Sequence, residues 1–140
     1  MNELVEAARS YLGVKWRHRG RSRHGIDCAG LVVLSYADCG VELKDFTQYG
    51  REPHQDGLIT HMTAALGEPL EQPVALMGGD VIVQKFDKEP HHVGILAAVM
   101  YAGMPALNII HADGHVGRVV EVRLDGARMR QITHVYRRAV

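Results

Sequence analysis

Residues 28 to 39 read Cys-Ala-Gly-Leu-Val-Val-Leu-Ser-Tyr-Ala-Asp-Cys, a segment that is apolar on nearly every side when wound at 3.6 residues per turn. A helix without a polar face must be enclosed by the rest of its own fold. Asp27 occupies the cap position before it and Gly40 follows its end, so the boundaries are sharp. The segment is therefore predicted to be the central helix. The remaining chain has to supply its cover, and 140 residues with 46% hydrophobic content suffice for one core of that kind. Residues 1–140 are read as a single domain.

The cover can be traced from periodicity. Leu4, Val5, Ala8, Tyr11 and Leu12 recur at helical spacing, with Asn2 as cap and Gly13 suited to the left-handed position after the last turn. From Val14 to Gly25 the pattern fails, and Lys15, Arg17, Arg19, Arg21 and Arg23 alternate with other residues, which suggests a basic loop. Phe46 to Gly57 reads as loop, Leu58, Met62, Ala65 and Leu66 mark a short helix ending at Gly67, and Pro69 and Pro73 keep the next stretch irregular. After Gly79 the period becomes that of strands: Asp80 to Phe86, Val93 to Met100, Ala106 to His111, Arg118 to Leu124 and Gln131 to Arg137. The connections are too short for parallel crossovers. Helices first and short antiparallel strands afterwards give an α+β domain with the central helix packed on the sheet.

Several classes of function are disfavoured. Sixteen basic residues balance sixteen acidic ones, so no global field draws the surface onto nucleic acid. No apolar run approaches the ~20 residues of a membrane span. The acidic start Met1-Asn2-Glu3-Leu4-Val5-Glu6 lacks the features of a secretory signal, so the chain is expected to be made in the cytoplasm without one. Cys28 and Cys39, on one helix, would stand roughly 16 Å apart. A disulfide tolerates only about 7 Å between Cα atoms, so both are expected to be free thiols.

Cys28 opens the central helix, where unpaired N–H groups and the helix dipole favour a thiolate. A thiolate nucleophile needs a histidine partner. Of the nine histidines, His92 starts one predicted strand and His111 ends the next. If those strands form a hairpin turning at Tyr101 to Pro105, both imidazoles lie at its open end, roughly 5 Å apart at Cβ. His91 and His115 remain substitutes if the strand boundaries slip by a residue or more. A zinc site built from His91, His92, His111, His115 and a cysteine is a competing reading, though the histidines lack a familiar short metal spacing.

Gly25-Ile26-Asp27-Cys28-Ala29-Gly30-Leu31-Val32, Gly79-Asp80-Val81-Ile82-Val83, His92-Val93-Gly94-Ile95 and Ile110-His111-Ala112 resemble, in order and spacing, the signatures of the NlpC-type cell-wall peptidases. The likeness runs from Leu12-Gly13 to about Leu124. It implies a circularly permuted papain-like fold, with N-terminal helices on a five- to six-stranded, mainly antiparallel sheet. It also implies hydrolysis of peptidoglycan stem peptides, typically between D-glutamate and diaminopimelate, with no metal or other cofactor. Carried over residue by residue, Cys28 is the nucleophile, His92 the base and His111 the residue that fixes the imidazole. Asp27 is better read as helix cap than as catalyst. The chain departs from the family pattern at Ala29, where Ser is usual, and at Trp16, where Tyr is usual. Both positions line the substrate side of the site, so they bear on which substrate is taken.

The stretch Trp16-Arg17-His18-Arg19-Gly20-Arg21-Ser22-Arg23 is similar to versions of this domain in tailed bacteriophages and gene transfer agents. That likeness implies a virion protein at the tail tip with hub or tip proteins as partners, the alternative location being the bacterial cytoplasm. The basic run itself is either a solvated loop or a contact for stem-peptide carboxylates or a tail partner. Two further readings keep the same fold: a structural tail-tip component without turnover, and acyl transfer to an acceptor other than water.

Overall fold

The computed structural model describes residues 2–50, 57–86 and 89–140, with the side chains of residues 89–91 left aside. Among the described residues the elements are α1 (Glu3–Arg9), β1 (Arg21–Ser22), β2 (Gly25–Ile26), α2 (Cys28–Asp38), α3 (Leu58–Leu66), β3 (Val81–Phe86), β4 (Glu89–Tyr101), β5 (Met104–Asp113), β6 (Arg118–Arg123), α4 (Gly126–Arg130) and β7 (Ile132–Tyr136). The five long strands form one sheet in the order β6-β5-β4-β3-β7, every neighbouring pair antiparallel. The architecture is α+β, as the periodicity requires.

Each helix starts where its cap stands. Asn2 accepts a hydrogen bond from the Val5 N–H at 3.2 Å, and Asp27 accepts one from the Gly30 N–H at 2.8 Å, satisfying donors that a first helical turn leaves unpaired. Gly40 and Gly67 take positive φ at the exits of α2 and α3, and Gly13 does so in the turn that follows α1. The α1 helix is shorter than its apolar spacing predicts. It ends at Arg9 with Ser10 as cap, and Leu12 is exposed, because the chain turns there to pair Gly13 N–H with the Val119 carbonyl.

Alternation in the strands sorts side chains to two faces. Val81, Val83, Val93, Ile95, Ala97, Ile110, Ala112 and Tyr136 meet Leu31, Val32 and Tyr36 of α2, together with α1 and α3. Ile82, Leu96, Ile109 and Val135 point the other way, where Leu70, Val74 and Leu76 pack on them. The segment around Pro69 and Pro73 thus closes the far side of the sheet. The two cysteines are free thiols.

The stretch expected to be a basic loop contains a two-residue hairpin, β1 with β2. Beside it Trp16 bridges to Ile26, and Lys15 bridges to Arg118. Strands this short have no alternation to read, so their pairing depends on neighbours distant in sequence. Residues 46–50 are irregular as expected, whereas Pro53 lies outside the described residues. The turn from β6 to β7 adds a helix that periodicity did not indicate, α4, capped by Asp125 through the Arg128 N–H.

Candidate active site

At the start of α2 the Asp27 carboxylate is fully engaged. Oδ1 accepts from the Gly30 N–H and from Arg21 Nη1 at 2.9 Å, while Oδ2 accepts from the Arg19 N–H at 2.9 Å and from the Tyr49 hydroxyl. Tyr49 is held in its protonated, donating form, its phenol pushed up by burial and then by Asp27. A carboxylate with its lone pairs committed in this way fixes a helix start and is not available for proton transfer. The cap reading of Asp27 is the one its bonds fit.

This anchoring also explains much of the basic run. Arg21 spans Asp27 and Asp45, with Nε 2.9 Å from Asp45 Oδ2, and Arg19 Nε donates to the Tyr49 carbonyl at 2.8 Å. Arg23 donates to the Ser10 carbonyl and lies over the Tyr11 ring. Three of the arginines thus tie the loop to the body of the domain, while Lys15 and Arg17 are exposed.

Cys28 is half-buried in the first turn of α2. The N–H of the peptide joining His92 to Val93 points at its sulfur, as does the Ala29 N–H, and both favour the thiolate. They do not prevail. Burial first, and the Asp27 carboxylate next, push the Cys28 thiol up to about 12. The backbone donors at the helix start thus favour the thiolate, while burial and Asp27 oppose it.

The two histidines expected at the hairpin's open end are there. His92 lies on β4 and His111 on β5, joined through His92 Nε2 and His111 Nδ1 at 2.7 Å, with the rings nearly perpendicular at 82°. The β4–β5 ladder closes with the pair Ile95↔Ile110, and both histidines lie beyond it toward the open end. Their rings meet there through the side chains. Two residues after His92, Gly94 lets Ile109 pack closely: a Cβ there would lie 2.6 Å from Ile109 Cδ1 and 3.1 Å from the Ile110 carbonyl oxygen.

His111 is 8% exposed, and burial holds its imidazole below the usual histidine range. The nearby Asp113 charge works against that shift and the Arg128 charge works with it. His111 is thus neutral near pH 7. His115 sits in the exposed turn after β5, its N–H donating to Asp113 Oδ1 at 2.8 Å, so it does not take His111's place. The His91 side chain lies outside the described residues. Among the described residues no three His, Cys, Asp or Glu side chains converge as a metal site would require.

Trp16 is half-buried and lies against Gly114, just beyond the end of β5, with a Cβ on that glycine 3.5 Å from the indole. The Trp16 backbone N–H donates to the Gly117 carbonyl at 2.8 Å. The Ala29 side chain is buried in the core and does not line an accessible surface; Ala29 meets the site through its backbone N–H. Periodicity missed Tyr49 and Arg21 as supports of Asp27, because their approach depends on loop geometry. It also missed Asp113, although its place two residues after His111 on a strand puts both on one face.

The family model described as NlpC/P60 matches residues 13–138. The chain belongs to the NlpC/P60 family. This is a family of cysteine peptidases that includes peptidoglycan hydrolases, and the helix that Cys28 opens and the histidine hairpin occupy the matched region. Solved structures give the same fold. An NlpC/P60 family protein from Bacillus cereus ATCC 10987 superposes with a TM-score of 0.65 at 20% identity, over 99% of this chain and 40% of that one. A similar-to-lipoprotein NLP/P60 family protein from Staphylococcus aureus subsp. aureus Mu50 gives 0.62 at 17%, over 99% of this chain and 41% of that one. The NlpC/p60 domain of peptidoglycan hydrolase SagA gives 0.59 at 18%, covering 96% of each chain. The chain thus spans about two-fifths of the length of two of these proteins and the whole of the isolated SagA domain. No curated protein matches it. The similar structures are bacterial NlpC/P60 proteins and single out no bacteriophage branch.

Proposed function

We propose that the protein is a cysteine endopeptidase that hydrolyses amide bonds of peptidoglycan stem peptides, with Cys28 as nucleophile, His92 as general base and His111 as the residue that orients His92. The observation that carries this reading is the 2.7 Å His92 Nε2 to His111 Nδ1 bond, made on the strand whose Val93 amide points at the Cys28 sulfur. With Nε2 engaged by His111, Nδ1 is the nitrogen that serves the thiol. His92 takes the thiol proton as sulfur attacks the scissile carbonyl carbon, and the Cys28 N–H receives the developing oxyanion. The proton then passes to the departing amine, leaving an acyl thioester. Water, deprotonated by His92, releases the acid and restores the thiol.

The bond between D-glutamate and diaminopimelate is the proposed target, with Trp16 as a residue of the substrate side. Incubation with defined muropeptides, read by mass spectrometry beside a Cys28→Ala control, tests the reading. Loss of product with the control is expected, and equal product from both proteins overturns it. The proposed setting is a phage tail tip, supported by the likeness of the 16–23 stretch to phage and gene transfer agent domains. Since Arg19, Arg21 and Arg23 are engaged within the domain, Lys15 and Arg17 are the basic residues left to meet a partner. Detection of the chain in purified particles tests that setting.

One observation favours a second reading, a structural component of the same fold without turnover: the Cys28 thiol is pushed up to about 12. The two readings separate on alkylation near neutral pH. An endopeptidase modifies faster at Cys28 than at Cys39, and an idle site shows no such preference.

A further inference from the structure

Asp113 closes β5 two residues after His111, so strand alternation places both on one face, and His111 in turn holds His92 at 2.7 Å. Its carboxylate is fixed in place. Oδ1 accepts from the His115 N–H at 2.8 Å and the Val116 N–H at 3.2 Å, and its carbonyl accepts from the Gly117 N–H at 2.7 Å. Burial alone would raise this carboxyl, yet those two amides and the charges of His111 and His92 bring it below the usual range, so it is ionised throughout the neutral region. The charges that act on His111 are Asp113 on β5, which favours a protonated ring, and Arg128 on α4, which opposes it.

We propose that Asp113 is a positioning residue of the His92–His111 pair, its fixed carboxylate stabilising the His92 imidazolium that forms when Cys28 gives up its proton. The assignment of Cys28 as the proton donor rests on the peptidase reading; the effect of the carboxylate on the imidazoles does not. The need is physical. Burial penalises a charged ring, and the thiol is a weak acid in its pocket, so transfer from sulfur to His92 is uphill unless a negative charge offsets the new positive one. Asp113 supplies that charge without competing for Nε2, which His111 already holds.

The test uses the full chain in a Cys28→Ala background, with histidine Cε1–H resonances titrated by NMR. Asp113→Asn keeps an oxygen for the His115 and Val116 amides, and Asp113→Ser supplies a hydroxyl for the same turn. Both are expected to lower the His92 titration midpoint by about half a pH unit to one unit, less than a buried pair would show because Asp113 is part-exposed. With Cys28 restored and Cys39→Ser, the alkylation rate of Cys28 at pH 7 is expected to fall about 3- to 10-fold in Asp113→Asn. Unmoved midpoints in both folded variants overturn the proposal, even if the wild type cuts muropeptides. A lowered midpoint in a protein that cuts none upholds it and removes the peptidase reading instead.

Discussion

Cys28 carries the largest disagreement between a local and a tertiary view of one residue. Its position at a helix start argues for a thiolate, whereas burial and the neighbouring Asp27 push the thiol up to about 12. In the proposed mechanism activation falls to His92, and two consequences can be measured. His92→Ala is expected to lose essentially all turnover and to slow Cys28 alkylation at pH 7, while His111→Ala, which removes only the orienting partner, loses about 10²-fold in kcat/KM. His111 also ties stability to pH. Its folded form resists protonation, so between the unfolded value of about 6.5 and the lower folded one, the unfolded chain binds more protons. The stability His111 contributes is full above pH 6.5 and is lost as pH falls through that window. Urea midpoints at pH 7.5 and 5.5 are expected to drop further for the wild type than for His111→Asn.

Two elements set the site: the capped start of α2 and the β4–β5 hairpin. Asp27 joins that helix start to the 19–21 turn and to Tyr49, so Asp27→Ala removes a cap and leaves Arg21 short of a partner. The expected cost is about 2–4 kcal/mol in chemical denaturation, with Asp27→Asn retaining part of the cap and costing less. In the hairpin, Gly94 permits the close packing of Ile109 beside the histidine pair. Gly94→Ala is expected to destabilise by about 1–3 kcal/mol and to lower kcat more than stability alone accounts for, because it shifts the strands that hold His92 and His111. Far-ultraviolet circular dichroism with denaturant, beside muropeptide turnover, separates the two effects.

At the scale of the molecule, a five-stranded sheet separates two apolar layers, one shared with the helices and one closed by the 69–76 segment. The second layer is as dry as the first: Ile82, Leu96 and Ile109 are completely buried. Ile109→Ala is expected to cost about 2–5 kcal/mol, read from the urea midpoint, although the residue touches no helix. The three longer helices and the five long strands were legible in the sequence, because apolar period, caps and turn glycines are local properties imposed by backbone geometry, whereas the strand order β6-β5-β4-β3-β7 was not. The nearness of His92 to His111 and the place of Cys28 at a helix start were legible too, since a hairpin and a cap are local features. The β1–β2 hairpin, α4, the four-fold engagement of Asp27 and the internal role of the arginines were not. Each depends on which distant groups arrive at the same place, as does the acidity of Cys28, and a linear pattern records neither proximity nor the solvent it excludes.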